Sequence, residues 1–175
     1  MRNLTYVALV AVLLFSVQAC SDRKGRNFNQ KAQDDNNLTF VNTAAESGTA
    51  EVALSKLALK NSTNPQILDF AKMMVTDHTA AGNELKTIAA GQKITATDSL
   101  DTPHQLLVDS LGKLKGANFD KHYIQVMAID HEKAVKLFRA ASTTTDKKLA
   151  DFAQKTLPKL EGHLKQANAL CSGLK

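Results

Sequence analysis

With 175 residues, 43% hydrophobic and 22% charged, the chain can bury one full apolar core, which excludes a peptide-sized or disulfide-dependent fold. Aromatic residues make up 5%, tryptophan is missing, and Gly and Pro number 8 and 3, a balance that favours helices over turn-rich β-architecture. The net charge of +5 is spread along the chain rather than gathered into a basic face, which argues against a nucleic-acid partner.

The first segment is Met1-Arg2-Asn3, then an apolar run from Leu4 to Val17 broken only by Thr5 and Ser16, then Gln18-Ala19-Cys20. One positive charge, an apolar stretch too short to span a bilayer and a small residue before the break predict a secretory signal peptide over residues 1–19. Val17-Gln18-Ala19-Cys20 resembles the bacterial lipobox, so Cys20 is the expected lipid attachment point and the membrane the expected partner. The residue after it, Ser21, lacks the Asp of an inner-membrane retention signal. The expected location is therefore the cell envelope, anchored to the outer membrane and facing the periplasm. Residues 20–37 follow as a polar, charge-rich tether with Phe28 as almost its only large apolar side chain.

From Leu38 onward, apolar residues recur at spacings of three and four, which predicts a domain over 38–175 built of four long helices and a short one. The first helix runs from about Leu38 to Lys60 and stops at Asn61-Ser62-Thr63-Asn64. Pro65 behind Asn64 reads as a first-turn proline after an N-cap, opening a second helix that ends near Gly91. Thr102-Pro103 begins a short helix, closed at Gly116. The third long helix spans about Asn118 to Ala141, and the fourth runs from Asp146 to about Leu170 with a kink expected at Pro158. The fold class is therefore all-α: a four-helix bundle with a short extra helix between the second and third long helices.

On the first helix, Val41, Ala44, Ala45, Gly48, Val52 and Ser55 share one face, so small side chains dominate its middle and leave room for close helix approach or for something else. Glu51 sits at the edge of that face, whereas Glu46 projects away.

The histidines carry the chemical signal. At about 100° per residue, His78 falls among Ile67, Ala71, Met74, Ala81 and Leu85, and His131 among Ile124, Met127, Ala128, Val135 and Phe138. His163 joins Leu149, Phe152, Thr156, Leu160 and Ala167, so three helices each turn one imidazole inward. Two of these helices also repeat. Phe70, Met74, Asp77, His78 and Ala81 are matched by Tyr123, Met127, Asp130, His131 and Ala134 at a constant offset of 53 residues. Asp77 and Asp130 thus stand one residue before each inward histidine, at the edge of the core.

His78, His131 and His163, with Asp77, Asp130 or Glu51 as further ligands or as orienting carboxylates, form a donor set that Fe, Cu or Zn would accept. The leading expectation is nevertheless a non-catalytic binding or structural module in which the same groups are hydrogen-bonded core residues that set helix register, with the metal-binding or redox bundle as the alternative. The two readings part on one point: whether the three imidazoles share a level along the bundle. Other chemistries lack their motifs. Ser110 has no nucleophile-elbow glycines, no Gly-rich phosphate loop follows a strand, and no paired cysteines mark a zinc site. Cys171 is expected to be a half-buried thiol without a partner.

Several stretches together resemble one family. They are Ala44-Ala45 and Glu51-Val52-Ala53-Leu54, Phe70-Ala71-Lys72-Met73-Met74-Val75 through Asp77-His78-Thr79, Phe119-Asp120 with Tyr123, Asp130-His131, and Thr156-Leu157-Pro158 through Leu160 to His163. This pattern, from about Leu38 to Leu170, is similar to the bacterial domain of unknown function 4142, a family of secreted outer-membrane proteins. The resemblance implies a ferritin-like bundle and no particular activity. Ferritin-like di-iron proteins carry Glu-x-x-His pairs. Here Asp77-His78 and Asp130-His131 are adjacent and Glu161 stands two before His163, so di-iron chemistry is not expected.

Overall fold

The computed structural model describes residues 18–174 apart from Asp98, with side chains from Gln30 onward. The predicted signal peptide falls almost entirely outside the described residues. Five helices follow: α1 Gln18–Asn61, α2 Pro65–Gly91, α3 Thr102–Leu111, α4 Gly116–Ala141 and α5 Lys147–Gly173. No strand occurs among the described residues, and the architecture is the all-α, ferritin-like bundle with one short helix in the central connection. Among the described residues, no helix is long and apolar enough to cross a membrane.

The helix ends follow local chemistry. Asn64 caps α2 by accepting from Gln66 N at 2.9 Å, with Pro65 in the first turn, where its missing N–H costs nothing. Asp101 caps α3 through His104 N at 2.8 Å, and Asp146 caps α5 through Leu149 N at 3.0 Å. Gly116 differs from expectation. It does not close the short helix, which ends at Leu111. Instead, it opens α4 with φ +56, a left-handed backbone that glycine adopts without a Cβ penalty. Pro158 lies inside α5, which continues through it to Gly173.

The chain divides into two compact units, residues 1–36 and Asn37–Lys175. In the first, α1 begins at Gln18, well before the expected start at Leu38, so the polar stretch read as a tether is helical. It contains no proline, and Gln30 Nε2 donates to Asp34 Oδ1 at 3.0 Å, an i,i+4 pair that supports an exposed helix. The second unit starts one residue from the expected boundary at Leu38 and holds the bundle.

Two apolar clusters fill that bundle. One gathers Phe40, Val41, Leu85, Phe138, Leu149 and Phe152, with Phe40 edge-on to Phe138 at 5.2 Å between ring centroids. The other gathers Leu54, Ile67, Phe70, Phe119, Tyr123 and Met127, with Phe119 stacked on Tyr123 at 5.6 Å. Each fully buried Leu, Ile or Phe contributes about 1.5–3 kcal/mol. Along α2 the sequence passes from Met74 in the second cluster to Leu85 in the first, and His78 lies between. Glu51 lies likewise between Ala45 and Leu54 on α1, His131 between Ala128 and Ala134 on α4, and His163 between Leu160 and Ala167 on α5. The bundle is thus two apolar halves separated by one buried polar layer at its waist.

Candidate metal centre

Each helical stripe that carries core residues also carries its histidine inward, and the three imidazoles meet. Ring centroids are 5.3 Å apart for His78 and His131 and 5.4 Å for each of the other two pairs. One ring nitrogen from each of His78, His131 and His163 lies within 4.8 Å of the others, and all three residues are buried. The 53-residue repeat is realised as a pairing of α2 with α4: His78 meets His131, and Phe70 meets Tyr123 at 6.3 Å.

The acceptors around the rings set which nitrogen carries a proton. His78 Nδ1 donates to Glu51 Oε2 at 2.8 Å. His131 Nδ1 donates to Met127 O at 2.9 Å, one turn back on its own helix. His163 Nε2 donates to Asp77 Oδ2 at 3.0 Å, and Lys159 Nζ holds the other oxygen of Asp77 at 2.8 Å. When the rings are neutral, the second nitrogens, His78 Nε2, His131 Nε2 and His163 Nδ1, carry the lone pairs. His78 Nε2 has no hydrogen-bond partner, and His131 Nε2 faces His163 Nδ1 at 3.4 Å. A proton on one of these two nitrogens, or a metal ion held by both, satisfies the pair. Two nitrogens bound to one metal at about 2.0–2.1 Å in tetrahedral geometry stand about 3.3 Å apart, close to this spacing.

Glu51 is 2% exposed. Burial alone would raise its pKa, but the charges of His78 and His131, the hydrogen bond from His78 and the charge of His163 outweigh burial and hold it at about 2. Its Oε1 lies 3.1 Å from His131 Nδ1 without forming a hydrogen bond. Glu51 therefore stands behind two imidazoles, on their Nδ1 side. For His78, burial works against the proton, yet Glu51 and then Asp77 prevail and raise its pKa. Burial lowers His131, and burial with the charge of His78 lowers His163 to about 4. The hydrogen bond from Lys159 leads in holding Asp77 down, against a smaller opposing effect of burial.

Of the six residues singled out as a metal set, five gather here in two roles. Three imidazoles converge, and Glu51 and Asp77 accept from their outer nitrogens. Asp130 does not join. It bonds Lys133 Nζ at 2.9 Å and lies 3.9 Å from His104 Nε2, because its helix turns it about 100° away from His131, toward the α3 connection. Glu46 corrects the reading of an outward carboxylate. Its Oε1 lies 2.8 Å from His104 Nδ1 and accepts from Asp101 N at 3.1 Å, since α3 packs over that face of α1. Lys159 went unnoticed, although its spacing of four before His163 puts both on one face of α5. Ser55 and Tyr123, whose hydroxyls are 2.8 Å apart, also lie in the core, and burial pushes the phenol up. Cys171 is unpaired and half-buried, and burial raises its thiol pKa.

The sequence profile of a domain of unknown function, DUF4142, matches residues 24–170. The chain belongs to the DUF4142 family. No curated protein matches it. A crystal structure of a DUF305 fragment from Deinococcus radiodurans is similar in fold, with a TM-score of 0.70 at 11% identity, covering 78% of this chain and 95% of that one. In this DUF4142 bundle the carboxylate-rich di-iron pattern of ferritin-like proteins does not fit. Glu51 is the one buried acidic side chain of the polar layer among the described residues, and both its oxygens face protonated imidazole nitrogens. What remains is an all-nitrogen donor set with carboxylates behind it, which accept from the outer ring nitrogens, an arrangement that orients metal-ligating histidines and raises their basicity.

Proposed function

We propose that this DUF4142 protein is a lipid-anchored envelope binding module whose bundle holds one divalent transition metal through His78, His131 and His163. The observation that carries this reading is the convergence of three buried imidazoles, one ring nitrogen of each within 4.8 Å of the others, with an acceptor holding another nitrogen of each ring. Imidazole ligands suit Cu, Zn and Fe, and a set of three without a carboxylate departs from the two-histidine, one-carboxylate arrangement of non-haem Fe(II). With three protein ligands, a fourth position stays open. Elemental analysis of protein purified without chelators, then reloaded with Cu, Zn or Fe, tests this. About one metal per chain is expected, lost in His78→Ala. No stoichiometric metal in any of these preparations refutes it and leaves a purely structural polar layer, a role that the satisfied outer nitrogens also support.

The anchor rests on Val17-Gln18-Ala19-Cys20. Cys20→Ala is expected to abolish metabolic labelling with a radioactive fatty acid, and labelling that persists rejects Cys20 as the attachment point.

A further inference from the structure

A cavity of about 430 Å³ opens beside the histidine layer, and Glu51, Asp77, His78 and His163 line its polar end. Its walls are largely apolar, with Ala44 and Gly48 from α1, Ala81 and Gly82 from α2, and Leu137 and Phe152 beyond them. The small residues create this space. A Cβ at Gly82 would meet nothing within 4 Å, and one at Gly48 would come no nearer than 3.9 Å to His78 Nδ1. Two buried polar atoms at the cavity's end lack partners, Glu51 Oε1 and His78 Nε2. Counting about 30 Å³ of liquid volume per non-hydrogen atom, the cavity accommodates roughly fourteen.

We propose that this cavity takes a small monoanion with an apolar body, a medium-chain carboxylate, its head at the histidine end and its hydrocarbon chain against the Ala, Gly, Leu and Phe walls. The inference rests on the metal reading for the identity of the head group. Charge selects the anion. A dication with the Glu51 and Asp77 carboxylates is neutral, and Lys159, paired to Asp77 at 2.8 Å, leaves a surplus of one positive charge. Of the other three lysines in the lining, Lys155 and Lys133 are matched by Glu84 at 2.8 Å and Asp130 at 2.9 Å, and Lys86, two turns beyond His78 on α2, is engaged away from the polar end. A dianion such as phosphate would overshoot this balance and leave oxygens unsatisfied against apolar walls. The walls then select the body. Each buried methylene strengthens binding about fourfold, so chain length is read directly as affinity.

The test is calorimetric titration of octanoate and of acetate into the purified, metal-loaded chain and into Gly82→Leu, with metal content measured on the same samples. Leu is a better helix former than Gly, and its side chain projects into the cavity. Octanoate is expected to bind at least about 50-fold more tightly than acetate, and Gly82→Leu to weaken octanoate at least tenfold with metal content unchanged, which also reports an intact fold. Equal affinity for the two acids, or a Gly82→Leu variant that binds octanoate as before, overturns the proposal while leaving the metal reading intact. If no metal loads, the metal reading falls by itself. Octanoate binding to that metal-free chain, still sensitive to Gly82→Leu, upholds the cavity with His78 Nε2 and Lys159 as its polar end, and loss of binding overturns both.

Discussion

Replacing Glu51 by glutamine removes one buried charge while keeping the shape and an oxygen that can still accept from His78 Nδ1. The wild-type carboxylate is held at about 2 against an ordinary 4.5, which corresponds to about 3 kcal/mol of stability. For a depressed carboxylate that contribution is present above pH 4.5 and lost as the pH falls toward 2. His78 sees the same pair from the other side with the opposite sign. Its raised pKa gives a contribution present below pH 6.5 and lost as the pH rises through the native value. Because one interaction is counted from both ends, the two are not added. In metal-free protein at pH 6, where the ion pair is formed, Glu51→Gln is expected to cost about 3 kcal/mol in urea denaturation. At a pH above the native titration of His78, itself followed by NMR, His78 is neutral in both proteins, and the loss falls to about 1 kcal/mol, the worth of an ordinary hydrogen bond. His78, freed of the charge that offsets its burial, should titrate below 6.5 by NMR. A loss of equal size at both pH values, or an unmoved His78 titration, would refute the assignment of Glu51 as the counter-charge of this layer.

Asp77→Asn is expected to weaken Cu or Zn binding about 10- to 100-fold, because the amide orients His163 less well, while Asp130→Asn changes it less than about twofold. Similar losses in both variants, measured by competition with a chromogenic chelator, would put Asp130 in the centre after all. Metal uptake should fall with acidification, since His78 retains its proton above the usual 6.5 and must release the Nε2 proton to bind. From pH 6.5 down to 5 the apparent affinity is expected to drop about tenfold per pH unit, one proton displaced per metal. His163, already lowered to about 4, adds little over that range. An affinity that is flat over this interval would exclude His78 as a ligand.

The sequence was sufficient for the bundle and for the inward direction of the three histidines, because both follow from the 3.6-residue period. A residue at mid-stripe faces the core whatever packs opposite. Asn64-Pro65 and Asp146 marked helix starts for the same local reason, a side chain positioned to satisfy the first backbone N–H groups. Gly116 could not be assigned in this way, since a glycine ends one helix or begins another according to a backbone angle that local sequence does not specify. The start of α1 was also misread: polar composition says that a segment buries nothing, not that it lacks helix.

What only the tertiary structure decided is height and partnership. Periodicity reports angle around a helix axis and is silent on how far each helix slides against its neighbours. That sliding put His78, His131 and His163 in one layer and sent Asp130, identical in local context to Asp77, to the far side with His104. The packing of α3 over α1 likewise converted Glu46 from an apparent surface charge into a partner of His104. The identity of each side chain and the face it occupies were properties of the sequence. Which nitrogens hold the outer hydrogen bonds was a property of the packing for two of the three rings, since Glu51 comes from α1 and Asp77 from α2, while His131 uses the Met127 carbonyl of its own helix.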